Sequence, residues 1–173
     1  MFEEFIDDCA NDNTAGIEVE LFGIISPDID TFPPLLGGTP AGDVTLDGNI
    51  VPVALKYFKK WTVIPTLGKG SGESTGPIGS KSQMDKFEFE IRNTGPEAVG
   101  AAASLRSFCG VFAVAFNNGH TRVFGSPKSP ALLETSAWDS GADSGDSNTI
   151  KITIRNSSGK DAPFYTGTLP VAP

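Results

Sequence analysis

The segment spanning residues 109–125 constrains the fold of this chain more than any other part of it. It reads CGVFAVAFNNGHTRVFG, in which two apolar runs flank Asn117-Asn118-Gly119. Asn and Gly tolerate the positive φ angles of a tight turn, so the segment predicts a hairpin of two antiparallel strands. Successive side chains of a strand point to opposite faces, and the run over residues 111–116 is apolar on both. We expect the protein's own core to cover one face, and a helix or a neighbouring copy of the chain to cover the other.

Alternation of apolar and polar residues predicts further strands. The clearest is KFEFEIR at residues 86–92, where Phe87, Phe89 and Ile91 would share one face. The other predicted strands lie at residues 16–25, 43–46, 49–55, 56–64, 133–137 and 149–155. These strands, with 20 glycines and 13 prolines, favour short antiparallel elements joined by turns.

One helix is predicted after the strand at residues 86–92. Thr94-Gly95-Pro96-Glu97 matches a capping box, with Thr94 as the N-cap and Glu97 reaching back to it. The residues that follow, AVGAAASLRSF, suit a short helix that packs closely on a sheet. Its predicted inner face consists of Ala98, Ala102, Leu105 and Cys109. The fold class expected is mainly β: residues 1–173 form one domain, an antiparallel β-sandwich or barrel with one flanking α-helix and a long flexible arm.

The predicted arm is a Gly-rich segment at residues 65–85. Within it, TLGKGSGESTGPIGSKS at residues 66–82 has too few apolar side chains to fold alone. Two interpretations remain open for this segment. It is either a disordered surface loop or an arm that orders when it lies over an adjacent subunit.

Charge is distributed unevenly along the chain. The net charge is −8, made up of −11 over residues 1–55 and +3 over residues 56–173. An acidic chain offers few cations that would release counterions from phosphates, so it is a poor DNA binder, although DNA could pass along it without sticking. Two interpretations remain open. Either the acidic residues are simply solvated, or an acidic face pairs with a basic face on the next identical subunit in a ring or stack.

Residues that could perform chemistry are scarce. His120, the single histidine, follows a turn, and the two cysteines lie far apart in the sequence. The acidic stretch at residues 139–146 lacks the spacing of an EF-hand, and residues 68–72 lack the order of a phosphate-binding loop. We therefore expect no catalytic residue, no metal site beyond a weak cation site at residues 139–146, and no cofactor.

The cellular setting follows from the same composition. The chain has no apolar run of about 18 residues, so no membrane partner is expected. Residues 1–15 are acidic without a basic residue, the reverse of a secretory signal. We therefore expect folding in a cytoplasm, with Cys9 and Cys109 as free thiols.

The features from residue 86 onward resemble those of structural proteins of tailed bacteriophages, in particular tail tube (major tail) proteins. The resemblance rests on KFEFEIRN, PEAVGAAASL, VFAVAFNNGHTRVFGSP, the turn region at residues 138–146 and NTIKITIRNSSGKDAPFYTG. It covers residues 86–167. It implies a subunit that forms hexameric rings, which stack head to tail with other virion proteins into a tube through which genomic DNA passes non-specifically. The location implied is the virion tail, assembled in the host cytoplasm.

Under this resemblance, the expected activity is self-assembly rather than catalysis. The assembly and interface candidates are Glu18, Glu20, Lys69, Glu73, Lys81, Phe112, Val114 and Phe116. One alternative is a head–tail connector, tail terminator or capsid decoration protein. An alternative of another class is a glycan-binding β-sandwich module, in which Tyr57, Phe58 and Trp61 would stack on sugars.

Overall fold

The computed structural model describes residues 16–64, 67–143, 145–146 and 148–171. The mainly-β prediction is confirmed: the described residues form antiparallel strands and one flanking α-helix, α1 (Pro96–Ser104). The strands are β1 (Ile17–Ile25), β2 (Ile29–Thr31), β3 (Val51–Pro52), β4 (Lys59–Thr62), β5 (Lys69–Thr75), β6 (Ser82–Arg92), β7 (Gly110–Phe116), β8 (Thr121–Phe124), β9 (Leu132–Asp139), β10 (Thr149–Ser158) and β11 (Phe164–Tyr165). No helix in this part of the chain is long and apolar enough to cross a membrane.

The strands form two large sheets and one small one. Sheet I has the order β11-β8-β7-β1-β4, and sheet II has the order β5-β6-β10-β9. The third sheet is the pair β2-β3. All pairings between these strands are antiparallel.

The main core lies between sheets I and II. Phe87 of β6 packs on Phe112 of β7 and Phe124 of β8, with ring centroids 5.3 and 4.8 Å apart. Two residues further along β6, Phe89 meets Trp61 of β4 edge-on at 6.3 Å. Strand β6 therefore crosses sheet I from β8 towards β4, and the inward aromatic side chains predicted for residues 86–92 hold the two sheets together.

The outer face of sheet I is covered by the chain itself. Val111, Ala113 and Val123 on that face are buried in a second apolar cluster with Ile50 and Phe58. The expectation of a helix or a neighbouring copy is therefore wrong for β7. The segment between β1 and β4 is rich in proline and turns, and it supplies the cover without forming an α-helix.

The hairpin between β7 and β8 is confirmed. The Phe116 N–H donates to the His120 carbonyl at 2.9 Å, and the Gly119 N–H donates to the Phe116 carbonyl at 3.0 Å. Gly119 has φ +80°, which glycine adopts without steric cost. The turn thus has three residues and ends with a glycine in the left-handed region.

The predicted capping box is wrong. Gly95, not Thr94, is the N-cap of α1, no side chain caps the helix, and Pro96 takes the first helical position. The Asn93 side-chain oxygen accepts the Gly95 N–H at 2.9 Å and fixes the entry of the chain. The helix continues as a 3-10 turn over Leu105–Ser107, so Cys109 lies beyond it and is exposed.

Two further predictions need correction. Residues 43–46 do not form a strand, because a 3-10 turn occupies Gly42–Val44. Of the segment predicted as a flexible arm, Lys69–Thr75 forms β5 and Ser82 already belongs to β6. Residues 69–85 therefore form an edge hairpin of sheet II in which β5 is paired with β6 over its whole length, and residues 65 and 66 lie outside the described part of the chain.

Candidate functional site

Sheet II has two long edges. Strand β5 forms one edge with 7 residues, and β9 forms the other with 8. Among the described residues, each of these strands pairs on one side only, β5 with β6 and β9 with β10. The edges of sheet I are shorter, at 2 residues in β11 and 4 in β4. Unpaired backbone N–H and C=O groups on long edges are templates for pairing with another chain, so sheet II carries the candidate site.

The strand directions make the two edges of sheet II compatible with each other. Its three internal pairings are antiparallel, so β5 and β10 run one way and β6 and β9 run the other. A second copy placed beside the first in the same orientation would bring its β5 against β9 of the first. These two strands run in opposite directions, so the contact extends the antiparallel pattern without interruption.

Strand β9 carries an exposed aromatic side chain at its edge. Trp138 pairs with the buried residue Ile150 of β10, so it lies on the core-facing side of sheet II. It is nevertheless 67% exposed. Trp138 is therefore available to a chain that pairs with this open strand edge.

The glycines of β5 are required by close packing. A Cβ atom on Gly70 would lie 2.6 Å from Cζ of Phe116, and one on Gly72 would lie 2.4 Å from Oδ1 of Asp85. Both distances are shorter than real Cβ contacts. The composition of this segment therefore reflects how closely β5 approaches its neighbours, rather than flexibility.

The outer face of sheet II carries alternating charges in ion pairs. A bulge in β9 places Glu134 between two cations that stand directly opposite each other, Lys86 and Arg155. The ion pairs on this face are Lys69–Glu88 (3.3 Å), Lys86–Glu134 (3.0 Å), Lys151–Glu90 (3.6 Å) and Arg155–Glu134 (3.8 Å). The face is therefore polar, and neighbouring carboxylates hold four of its cations, Lys69, Lys86, Lys151 and Arg155.

The charged candidates from the sequence lie in separate places. Glu18 is exposed on β1, and Glu20 on the same strand is ion-paired with Lys60 at 2.9 Å. Lys69 and Glu73 are on the β5 edge, and Glu73 is exposed there. Lys81 donates to the Gly76 carbonyl at 2.7 Å and braces the turn between β5 and β6. The structure thus brings Lys69, Glu73 and Lys81 together in one hairpin, apart from the β1 pair.

The apolar candidates belong to the interior. Phe112 and Val114 are fully buried between the sheets, and Phe116 is half-buried under Gly70. Phe112 and Val114 are therefore scaffold residues in this fold and offer no surface to a partner. Sequence reasoning did not single out β9, although the alternation at residues 133–137 placed a strand there.

The residues considered for chemistry hold local structure. The N–H groups of Asp143 and Ala142 donate to Oδ2 of Asp146 at 3.0 and 2.9 Å, and these two hydrogen bonds lower the pKa of Asp146. Oδ1 of Asp139 accepts the Gly141 N–H at 2.9 Å. No three His, Cys, Asp or Glu side chains of the described residues are grouped as metal ligands would be. His120 is exposed, with its ring 5.5 Å from that of Phe164.

The three aromatic residues considered for sugar stacking do not form one platform. Phe58 is fully buried in the cluster on the outer face of sheet I. Trp61 packs against the core on the opposite face, and Tyr57 is exposed just before β4. A flat stacking surface needs the rings side by side on one face, so this arrangement does not favour the glycan-binding alternative.

The chain matches no protein-family model, no curated protein and no solved structure. The resemblance to tail tube proteins therefore rests on the strand and turn pattern of residues 86–167.

Proposed function

We propose that this protein is a self-assembling structural subunit whose copies join through sheet II, with β9 of one copy paired to β5 of the next. The observation that carries the proposal is the pair of long, open and directionally compatible edges on one sheet. The two edges differ from each other, so the contact is heterologous and is repeated from copy to copy. Such a contact forms a ring when its rotation closes.

When the ring closes, its subunits together form a barrel, to which each subunit contributes the four strands of sheet II. Sheet I and the core cover the inner side of β6 and β10, so the ion-paired outer face is the side of sheet II that would line a channel. The carboxylates beside Lys69, Lys86, Lys151 and Arg155 leave DNA phosphates few free cations to bind. These properties suit a wall along which DNA moves without sticking.

Together with the resemblance at residues 86–167, this geometry supports a tail tube subunit of a tailed bacteriophage. The rings stack head to tail in the virion tail, in contact with other virion proteins, and genomic DNA passes through the channel. Ring closure alone would also suit a connector or terminator. A tube differs from a connector or a terminator because its rings continue to stack.

The experiment is negative-stain electron microscopy of the purified chain over a range of concentrations. Wild-type protein is expected to form rings or tubes with a central channel. Ser136→Lys places a charge on the core-facing side of the exposed β9 edge. Natural sheets use inward-pointing charges of this kind to prevent pairing at their edges. The variant should leave a folded monomer that does not assemble.

A matched control adds the same charge elsewhere. Ala54→Lys lies in an exposed turn outside sheet II and should assemble like the wild type. Closed rings that never stack would favour the connector or terminator alternative. Unchanged assembly of Ser136→Lys, or two-fold dimers as the only oligomer, would contradict the proposal.

A further inference from the structure

A cavity of about 350 Å³ opens beneath β5, between the two sheets. Sheet I contributes the guanidinium of Arg122 and three aromatic rings to its wall, those of Phe116, Phe124 and Phe164. Strand β11, which carries Phe164, and strand β5 are the edge strands of their sheets. The cavity therefore lies at the flank of the sandwich where β5 is open to a further strand.

The core-facing side of β5 carries only small residues. Gly70 pairs with the buried residue Phe87 of β6, so it lies on the core-facing side. Gly72 and Ser74 follow on the same side, because alternate residues of a strand share a face. Strand β5 thus places no bulky side chain between the cavity and a strand added beside it.

The inward positions of β6 change from aromatic to polar at this cavity. Phe87 packs on Phe124, whereas Asp85, the preceding inward residue, lines the cavity. Oδ1 of Asp85 accepts a hydrogen bond from Nε2 of Gln83 at 3.0 Å, so the two polar side chains bind each other. Phe116 of sheet I stays only half-buried in the single chain. An aromatic wall that the chain itself does not cover remains available to a partner.

The opposite edge of sheet II carries a side chain that suits this cavity. Trp138 lies on the core-facing side of β9, as Gly70 does on β5, and it is 67% exposed. A cavity of about 150 Å³ can hold benzene, so about 350 Å³ has room for the larger indole ring.

The cavity wall also matches the chemistry of an indole. Its phenylalanine rings offer edge and face contacts, and a guanidinium such as that of Arg122 stacks on aromatic faces. Arg122 already lies 4.2 Å from the centre of the Phe164 ring. A buried indole N–H needs an acceptor, and the carboxylate of Asp161 in the wall is one.

One register of the two edges brings Trp138 to the cavity. When β9 of one copy pairs antiparallel with β5 of the next and Trp138 stands opposite Gly70, Ser136 stands opposite Gly72. The same register sets Asp139 opposite Lys69 on the outer face, where both side chains are exposed. Opposite charges placed directly across a strand pair stabilise it, so the charges favour this register.

We propose that Trp138 of one copy inserts into the cavity beneath β5 of the next. Each subunit then carries an aromatic anchor at one edge of sheet II and the site that receives it at the other. This inference rests on the proposed pairing of β9 with β5, and it adds the register and the anchor residue of that contact. Tryptophans seated in pockets are typical of the few residues that dominate the binding energy of an interface.

The position of residue 138 is tested by photochemical cross-linking. The photoreactive residue p-benzoylphenylalanine replaces Trp138, which is largely exposed in the single chain, so the core is not disturbed. Isotope-labelled and unlabelled chains are assembled together, irradiated, and analysed by mass spectrometry for links between differently labelled chains. We expect these links in residues 116–124 and 161–164 of the partner copy. The same photoreactive residue at Ala54, in an exposed turn outside sheet II, should give no links to these segments.

A pair of alanine variants tests the contribution of the anchor. Trp138→Ala should raise the protein concentration needed for assembly at least about tenfold. Leu36→Ala removes an exposed apolar side chain outside sheet II and should assemble like the wild type. Both measurements are accompanied by amide hydrogen exchange of β5 and β9, which reports pairing of the edges independently of Trp138.

The outcomes separate this inference from the proposed function. Protected β5 and β9 amides with links from residue 138 to other segments would overturn the inference and leave the edge pairing intact. Protected edges with a Trp138→Ala variant that assembles at the wild-type concentration would do the same. Assembly without protection of β5 and β9, or no assembly, would overturn the edge pairing and this inference with it.

Discussion

Substituting Gly70 by alanine distinguishes a packed edge strand from a flexible arm, because only the packed strand should lose stability. In a flexible arm, alanine would restrict the folded and the unfolded chain alike, so the free energy of unfolding would hardly change. In an ordered strand, alanine restricts only the unfolded chain, an entropic gain of about 0.4–1 kcal/mol. In the structure, the new Cβ would lie 2.6 and 2.8 Å from Cζ and Cε1 of Phe116. Overpacking of this kind costs about 1–3 kcal/mol, which exceeds the entropic gain.

We therefore expect Gly70→Ala to lower the free energy of unfolding by about 1–2 kcal/mol, because the Phe116 ring must move aside. For a chain of this length, that is a fall in Tm of roughly 2–8 °C. The assay is urea unfolding followed by tryptophan fluorescence at a protein concentration too low for assembly. Both tryptophans, Trp61 and Trp138, lie in strands that unfolding would disrupt.

Two controls make the result specific. Gly159→Ala has open space around its Cβ and no left-handed φ, so it should be neutral or slightly stabilising. Gly70→Ala should cost less stability in a Phe116→Leu background than in the wild type, because the shorter side chain withdraws from the new methyl group. A Gly70→Ala variant as stable as Gly159→Ala would refute the packed-strand reasoning.

Two further predictions concern ionisable groups of sheet II. Burial raises the pKa of Asp85 in the folded state, so the stability that this group contributes is present below its unfolded pKa and is lost as pH rises through the folded pKa. Asp85→Asn should therefore be more stable than wild type at pH 7, and the difference should shrink towards pH 3.5. The midpoints of urea unfolding across this pH range measure the difference. A variant less stable than wild type at pH 7 would contradict the prediction. Glu134→Gln leaves Lys86 opposite Arg155 without a shared carboxylate and should cost up to about 1 kcal/mol at low salt. Unfolding in 0.5 M salt should abolish most of that difference, and a loss independent of salt would argue against an electrostatic cause.

The strands that the sequence predicts correctly are those whose evidence is local. Alternation alone locates β1, β6 and β10, and the Asn-Asn-Gly turn locates the hairpin of β7 and β8. The N-terminus of α1 was also encoded locally. The Gly95-Pro96 pair places proline at the first helical turn, a signal that outweighs the capping box at Thr94.

The features that the sequence did not predict depend on distant contacts. Nothing near Gly70 or Gly72 indicates that Phe116 and Asp85 would lie against them, so close packing looked like flexibility. The cover of β7 by the segment before β4 is likewise set by tertiary structure.

The candidate surfaces were even less accessible to sequence reasoning. The edges of sheet II follow from strand order, which local patterns do not encode. One signal was present in β6: the inward alternation of Phe87, Phe89 and Ile91 continues backwards to Asp85 and Gln83, which are polar. Polar residues at inward positions of a strand indicate a polar site within the core.

The most direct test of edge-to-edge assembly is amide hydrogen exchange, compared between assembled wild-type protein and monomeric Ser136→Lys. We expect slower exchange in β5 and β9 of the assembled protein, because the open N–H groups of both edges become hydrogen-bonded across the contact. Exchange in β6 and β10 should be similar in the two samples, since these strands are paired within each subunit. Assembled protein whose β5 and β9 amides exchange as fast as those of the monomer would contradict the central claim.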